Sequence, residues 1–150
     1  MTENIPEGFK LFPKIPGFLE TTGPLYVRYE KGAAELGLWV EEKHVNIANI
    51  CHGGMLMTFA DMQLGIGSQA AMGMRKFLPT MHMSCDFVAP TPLGAWLQGS
   101  TTVIKQTRKS VFATCILTAD GETVFSASGI MKIPGDNGGQ FSDIVLSDPS

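Results

Sequence analysis

From Met55 to Met72 the chain reads MLMTFADMQLGIGSQAAM, with apolar side chains pointing in nearly every direction around a 3.6-residue period. Such a segment is a helix that needs cover on most sides. One sheet face covers only part of it, so the pattern predicts a buried helix and a second subunit that completes its burial. Asp61 is the only formally charged side chain between His44 and Met74. A carboxylate in that setting needs a strong partner, such as Thr58 or a basic group from elsewhere, or it has chemistry to perform. Gly65 and Gly67 each cost a helix about 1 kcal/mol relative to alanine, which points to close approach by another backbone or by a ligand, with a simple kink as the alternative.

His52, Gly53 and Gly54 precede this run. They mark the place where a loop turns into a helix and presents backbone N–H groups that no helical carbonyl satisfies. An anion-attracting amide pair and a negative charge on one element define a candidate site. The structural alternative is a tight turn at Gly53 and Gly54.

The rest of the chain predicts a mainly antiparallel α+β domain. Residues 1–22, with Pro6, Pro13 and Pro16, read as an irregular N-terminal extension with room for a short helical turn. Strand-like runs follow at Leu25 to Glu30 and Ala33 to Glu41, joined by a hairpin turn at Lys31 and Gly32. After the helix, Met81, Met83, Cys85 and Phe87 alternate with polar residues as a half-buried strand does. Further strands are expected over Ala95 to Gln106, Ser110 to Thr118 and Glu122 to Ile133, with Asp120 and Gly121 turning between the last two. Residues 135–150 are acidic and Gly/Ser-rich, the composition of a flexible tail.

The 150 residues fit one domain with a real core, and a net charge of −3 disfavours nucleic-acid binding. No basic leader opens the sequence and no apolar run reaches a membrane span, so a soluble, cytoplasmic protein is expected. Cys51, Cys85 and Cys115 are an odd set without close-pair spacing, which fits reduced thiols better than a disulfide framework. His44, His52, His82 and Asp61 share no helical ligand spacing, so no metal site is expected.

On Asn46, His52-Gly53-Gly54 and Asp61, the chain resembles the hotdog-fold acyl-CoA thioesterases over residues 23–134. In particular it resembles the phenylacetic-acid-degradation (PaaI-like) branch related to 4-hydroxybenzoyl-CoA thioesterase. These residues fit the family pattern Asn-x5-His-Gly-Gly-x6-Asp. Pro79-Thr80 and Asp86-Phe87-Val88-Ala89-Pro90 look like the family's strand after the helix and its proline-containing turn. One position departs from the pattern, since Asn49 stands where the family commonly has glycine three residues before the histidine. Asparagine tolerates the left-handed backbone that a glycine there would allow.

The resemblance implies an antiparallel sheet wrapped around one long central helix, and hydrolysis of an acyl- or aryl-CoA thioester without a separate cofactor, coenzyme A being part of the substrate. It assigns the carbonyl-polarising donor to Gly53 N–H and the nucleophile or general base to Asp61. Asn46 holds water or orients the thioester, His52 bonds near the carbonyl or braces the loop, and Thr80 assists the acid. Coenzyme A also brings phosphates, which Lys105, Arg108, Lys109 and Ser110 at a tight turn could bind, although a solvated turn has the same composition. Arg75 and Lys76 fit the helix C-terminus without any ligand.

Spacing adds a constraint. A helix beginning at Gly53 carries Asp61 about 12 Å along its axis, so the two cannot reach one carbonyl on the same helix. A shared site makes a homodimer the minimal unit, and the family resemblance points to a dimer of dimers, a homotetramer. The competing readings are a hotdog hydratase or dehydratase and a noncatalytic acyl-CoA-binding module, the latter having no need of a buried acid. Met55, Met57, Met62, Met72, Met74, Met81 and Met83 either fill the core or line an adaptable acyl pocket.

Overall fold

Lys31 and Gly32 turn one strand back on the next as the sequence predicts, Gly32 supplying the positive φ of 73°. A computed structural model describes residues 4–135, so nearly all of the expected C-terminal tail lies outside the described residues. In chain order the elements are β1 (Lys10–Leu11), α1 (Phe18–Thr22), β2 (Tyr26–Glu30), β3 (Ala33–Trp39), a 3-10 turn (Glu42–His44), α2 (Gly53–Met72), β4 (Thr80–Phe87), β5 (Trp96–Gln106), β6 (Ser110–Ala119) and β7 (Glu122–Lys132). The strands form one antiparallel sheet in the order β1-β2-β3-β5-β6-β7-β4.

The period of two decides which face meets α2. Along β6, Val111, Ala113, Cys115 and Leu117 are buried while Phe112 and Ile116 face out. Leu36, Leu38, Leu97, Phe125 and Met131 join them under Leu56, Phe59, Ala60 and Leu64 of α2. The helix starts at a His52 cap and stops at Gly73, which takes the left-handed conformation (φ 63°).

A buried glutamine ties α2 to the sheet. Gln63 Oε1 accepts from the Leu36 N–H at 2.9 Å, and its Nε2 donates to the Ala34 carbonyl at 2.9 Å and to the Thr101 hydroxyl at 2.8 Å. Thr101 in turn donates to the Gln63 carbonyl at 2.8 Å. Gly67 lets the sheet come this close, because a β-carbon there would collide with Thr101.

Two expectations change. The segment before β2 is not simply irregular: β1 pairs with β2, Phe12 is buried, and Phe9 packs edge-on against Trp96 with ring centroids 5.2 Å apart. Arg28 lies 4.7 Å over the Phe9 ring and bonds Glu35 at 2.9 and 2.7 Å, anchoring this segment to the sheet face opposite α2. Strand β4, expected to be half-buried, is an open edge. Met81 and Phe87 are 62% and 56% exposed, and only Met83 and Cys85 are half-buried. Alternation reports which side of a strand is apolar, and it does not report whether the chain itself covers that side. Among the described residues no helix is long and apolar enough to cross a membrane.

Candidate active site

The loop before α2 is held from both ends. His44 is buried, its Nδ1 accepting from the Glu41 N–H at 2.9 Å and its Nε2 lying 2.6 Å from the Thr22 carbonyl. With Nδ1 an acceptor, Nε2 carries the proton and donates, so His44 is a brace. Asn46 Oδ1 accepts from the Ala48 N–H at 2.9 Å, which commits that oxygen to the loop and leaves the side-chain NH2 as the group that can serve a ligand. Asn49 adopts φ 62°, the left-handed geometry expected where the family has glycine.

His52 caps α2. Its Nδ1 accepts from the Gly54 N–H at 2.8 Å, so the exposed Nε2 is the donor. The expected amide pair is therefore reduced to one member: Gly54 N–H is taken, and among the described residues Gly53 N–H has no acceptor. Phe87 packs over Gly53, where a β-carbon would sit 3.1 Å from the ring. Asn46 and Gly53 line one cavity of about 330 Å3 together with Leu56, Phe87 and Val88.

Asp61 belongs to a second cavity, of about 490 Å3. Thr80 donates its hydroxyl to Asp61 Oδ1 at 2.5 Å. Thr58, weighed as a partner for the acid, instead donates to the Gly54 carbonyl one turn back at 2.9 Å. Among the described residues no cation lies within ion-pair distance of Asp61. Met62, Gly65 and Ile66 continue the cavity wall along α2, and Phe77 and Leu78 close it beyond the helix. The facing wall is Ile15, Phe18 and Leu19, from the N-terminal segment. Sequence reasoning missed these three; the apolar Phe18-Leu19 pair between Gly17 and Glu20 is the only local signal for them.

The proposed site residues thus fall into two groups on one chain, Asn46, His52 and Gly53 in the first and Asp61 with Thr80 in the second. Lys105, Arg108, Lys109 and Ser110 surround the β5–β6 turn, where Ser110 N–H donates to the Thr107 hydroxyl at 3.0 Å. Gln106 pairs with Val111, Val111 with Met131 and Met131 with Thr80, so the basic turn lies at the Thr80 end of the sheet, two to three strand spacings or about 10 to 14 Å away. Lys132, which pairs with Ser110, adds an exposed cation that sequence reasoning overlooked. Lys76 is structural, but through the Pro134 carbonyl at 3.2 Å.

Burial pushes the Cys51 thiol up to about 11, which removes a thiolate nucleophile at neutral pH. Among the described residues no three His, Cys, Asp or Glu side chains group in a way that could hold a metal ion. Of the seven methionines only Met62 lines the Asp61 cavity; Met55, Met72, Met74 and Met83 pack against the core, while Met57 and Met81 are exposed.

Residues 48–126 match the family model of the thioesterase superfamily. The chain belongs to that superfamily. This thioesterase is 31% identical over 132 residues to a Pseudomonas aeruginosa protein provisionally named an esterase, covering 87% of this chain and 98% of that one. It is 30% identical over 123 residues to mouse acyl-coenzyme A thioesterase 13, covering 79% and 84%. Among solved structures, the Escherichia coli PaaI protein from the phenylacetic acid degradation operon superposes with a TM-score of 0.70 at 18% identity, covering 80% of this chain and 86% of that one. A Streptococcus mutans protein bound to acetyl-CoA superposes with a TM-score of 0.65 at 23% identity, covering 73% and 86%. The seven-stranded antiparallel sheet packed on one long helix is the hotdog fold of these neighbours. The reaction class to be explained is thioester hydrolysis.

Proposed function

We propose that this thioesterase hydrolyses acyl- or aryl-CoA thioesters in a site assembled from two copies of the chain. The observation that carries the reading is the division of the candidate groups between two cavities joined by the open edge strand β4. Phe87 at one end of β4 lines the Gly53 cavity, and Thr80 at the other end lines the Asp61 cavity. Antiparallel pairing of two β4 edges about a two-fold axis would set the Phe87 end of one copy beside the Thr80 end of the other. An exposed apolar edge of this kind needs such cover. The same pairing brings Gly53 of one copy toward Asp61 of the other, which the 12 Å axial separation of about eight helical residues forbids within one copy.

In that arrangement Gly53 N–H, backed by the α2 dipole, donates to the thioester oxygen, and the Asn46 NH2 is a second donor. Thr80 holds Asp61 Oδ1 and leaves Oδ2 for the reaction. Asp61 either takes a proton from water as that water attacks the carbonyl carbon, or attacks directly and forms an acyl-aspartyl anhydride that water then opens. The tetrahedral intermediate expels the coenzyme A thiolate, which collects the proton, so the balance is thioester plus water to acid plus thiol. His52 braces the helix start and presents its Nε2–H outward. Lys105, Arg108, Lys109 and Ser110 supply charge and hydrogen bonds for the phosphates. The three free thiols fit a reducing cytoplasm, and the dimer, alone or paired as a tetramer, is the working unit.

The test is release of free coenzyme A thiol from a panel of saturated acyl-CoA and aryl-CoA thioesters, followed with a thiol-trapping dye. Turnover of at least one panel member is expected. No thiol release from any of them, with hydration of an enoyl-CoA instead, would overturn the assignment.

A further inference from the structure

Two glycines stand two positions apart on α2, and they face different surroundings. Gly67 is pressed against Thr101, so its missing side chain is accounted for by packing. At Gly65 a β-carbon would meet nothing within 4 Å. Glycine weakens a helix interior relative to alanine, and among the described residues no contact repays that loss. Gly65 lies four residues after Asp61, which puts both on one stripe of the helix, and both line the same cavity. Ile15, Phe18 and Leu19 form the opposite wall.

We infer that Gly65 is a specificity-determining residue that keeps the floor of the Asp61 cavity open, so that the acyl or aryl group of the substrate extends from Asp61 over Gly65 toward the α1 wall. This inference rests on the thioesterase reading above. The occupant is largely apolar: besides Asp61 and Thr80 the polar wall residues are Thr58 and Gln69, which donate to the Gly54 and Lys76 carbonyls, the remaining side chains are hydrocarbon or thioether, and a volume of about 490 Å3 is in the range that holds a small ligand. A side chain at position 65 would occupy the path of a long chain and leave the reacting carbonyl end untouched. Discrimination by acyl length therefore resides in a backbone position one helical turn from the acid.

The experiment compares wild type, Gly65→Ala and Gly65→Leu in the full chain, measuring kcat/KM on acetyl-, hexanoyl- and dodecanoyl-CoA and oligomer mass by light scattering. The dodecanoyl-to-acetyl ratio should fall stepwise, by ~3-fold or more for alanine and by ~30-fold or more for leucine, since one or a few methylene-sized clashes in an apolar pocket shift selectivity by ~10- to 200-fold. A ratio that stays within ~3-fold of wild type in both variants overturns the inference. So does loss of the oligomer without a change of profile, which would mean that a second copy covers Gly65. If the wild type hydrolyses none of the thioesters, the thioesterase reading has failed separately, and the cavity is tested by binding. The rise in melting temperature with free saturated carboxylic acids of two to twelve carbons should grow with length in wild type and level off at shorter length in the glycine variants. Identical length dependence in all three overturns the inference.

Discussion

The Thr80 hydroxyl, at the start of β4, donates to Oδ1 of Asp61, halfway along α2, across 2.5 Å. That bond fixes one carboxylate oxygen and, in the proposed reaction, leaves the other to act. Asp61→Asn is nearly isosteric, so the fold should persist while kcat falls by at least ~100-fold. Thr80→Val removes only the positioning bond and should lower kcat by ~10-fold with little change in KM. Steady-state kinetics on one good acyl-CoA, with circular dichroism as the fold control, checks both.

The shared site is tested by complementation. Asp61→Asn and Asn46→Ala should each be poorly active alone. Subunit exchange can place both lesions in one site and leave the other wholly wild type, so mixing should restore activity. Verified heterodimers as inactive as their parents would show that the groups do not meet across the interface.

Gly65 and Gly67 predict opposite signs for the same substitution. Gly65→Ala adds helix propensity in open space and should stabilise the protein by about 1 kcal/mol. Gly67→Ala drives a methyl group into Thr101 and should destabilise it by about 1 to 3 kcal/mol. Urea unfolding of the two variants, each at fixed protein concentration, gives both values.

Alkaline pH should separate the buried thiols from the rest of the molecule. Burial raises the Cys51 thiol from an ordinary 9.0 to about 11; Cys115 rises to about 12 through burial, reinforced by Cys85. The unfolded thiols lose their protons near pH 9 while the folded ones keep them, so the contribution to stability is full below pH 9 and is lost as pH climbs toward 11 or 12. The slope is about 1.4 kcal/mol per pH unit for each thiol. The stability gap between wild type and Cys51→Ala should therefore narrow between pH 9 and 11, by denaturant titration at each pH.

Gln63→Leu keeps the volume and removes every side-chain bond. It leaves the Leu36 N–H, the Ala34 carbonyl and the Thr101 hydroxyl without their glutamine partner inside the protein, at about 1 to 3 kcal/mol for each group that finds no other. A total loss below about 1 kcal/mol in chemical denaturation would contradict this.

The helix, the hairpin and the long strands were legible because each follows a period of 3.6 or 2 over many residues. The site pattern was legible because Asn46, His52, Gly53 and Asp61 lie close together in the chain. What escaped was set by contacts between distant segments. Local spacing offered Thr58, three residues away, as a partner for Asp61, yet the hydroxyl that reaches the acid is that of Thr80, nineteen residues on, to which only the family resemblance pointed. Phe9, Phe12 and Phe18, spaced among prolines, show no period, and their roles come from Trp96, β2 and the cavity floor. Gly65 and Gly67 are indistinguishable as letters, and only what faces them tells a packing glycine from an open one.

Gln63 also answers a difficulty that an all-round greasy helix creates for itself. With apolar groups on every side, such a cylinder has little reason to prefer one azimuth, and a one-residue roll of about 100° would trade one oily surface for another. The directional bonds from Gln63 to β3 and β5 are satisfied at one setting. The aim of Asp61, two positions earlier, is thereby indexed by polar keying at the back of the helix, and a chain that lost the key could keep its core and still misdirect its acid.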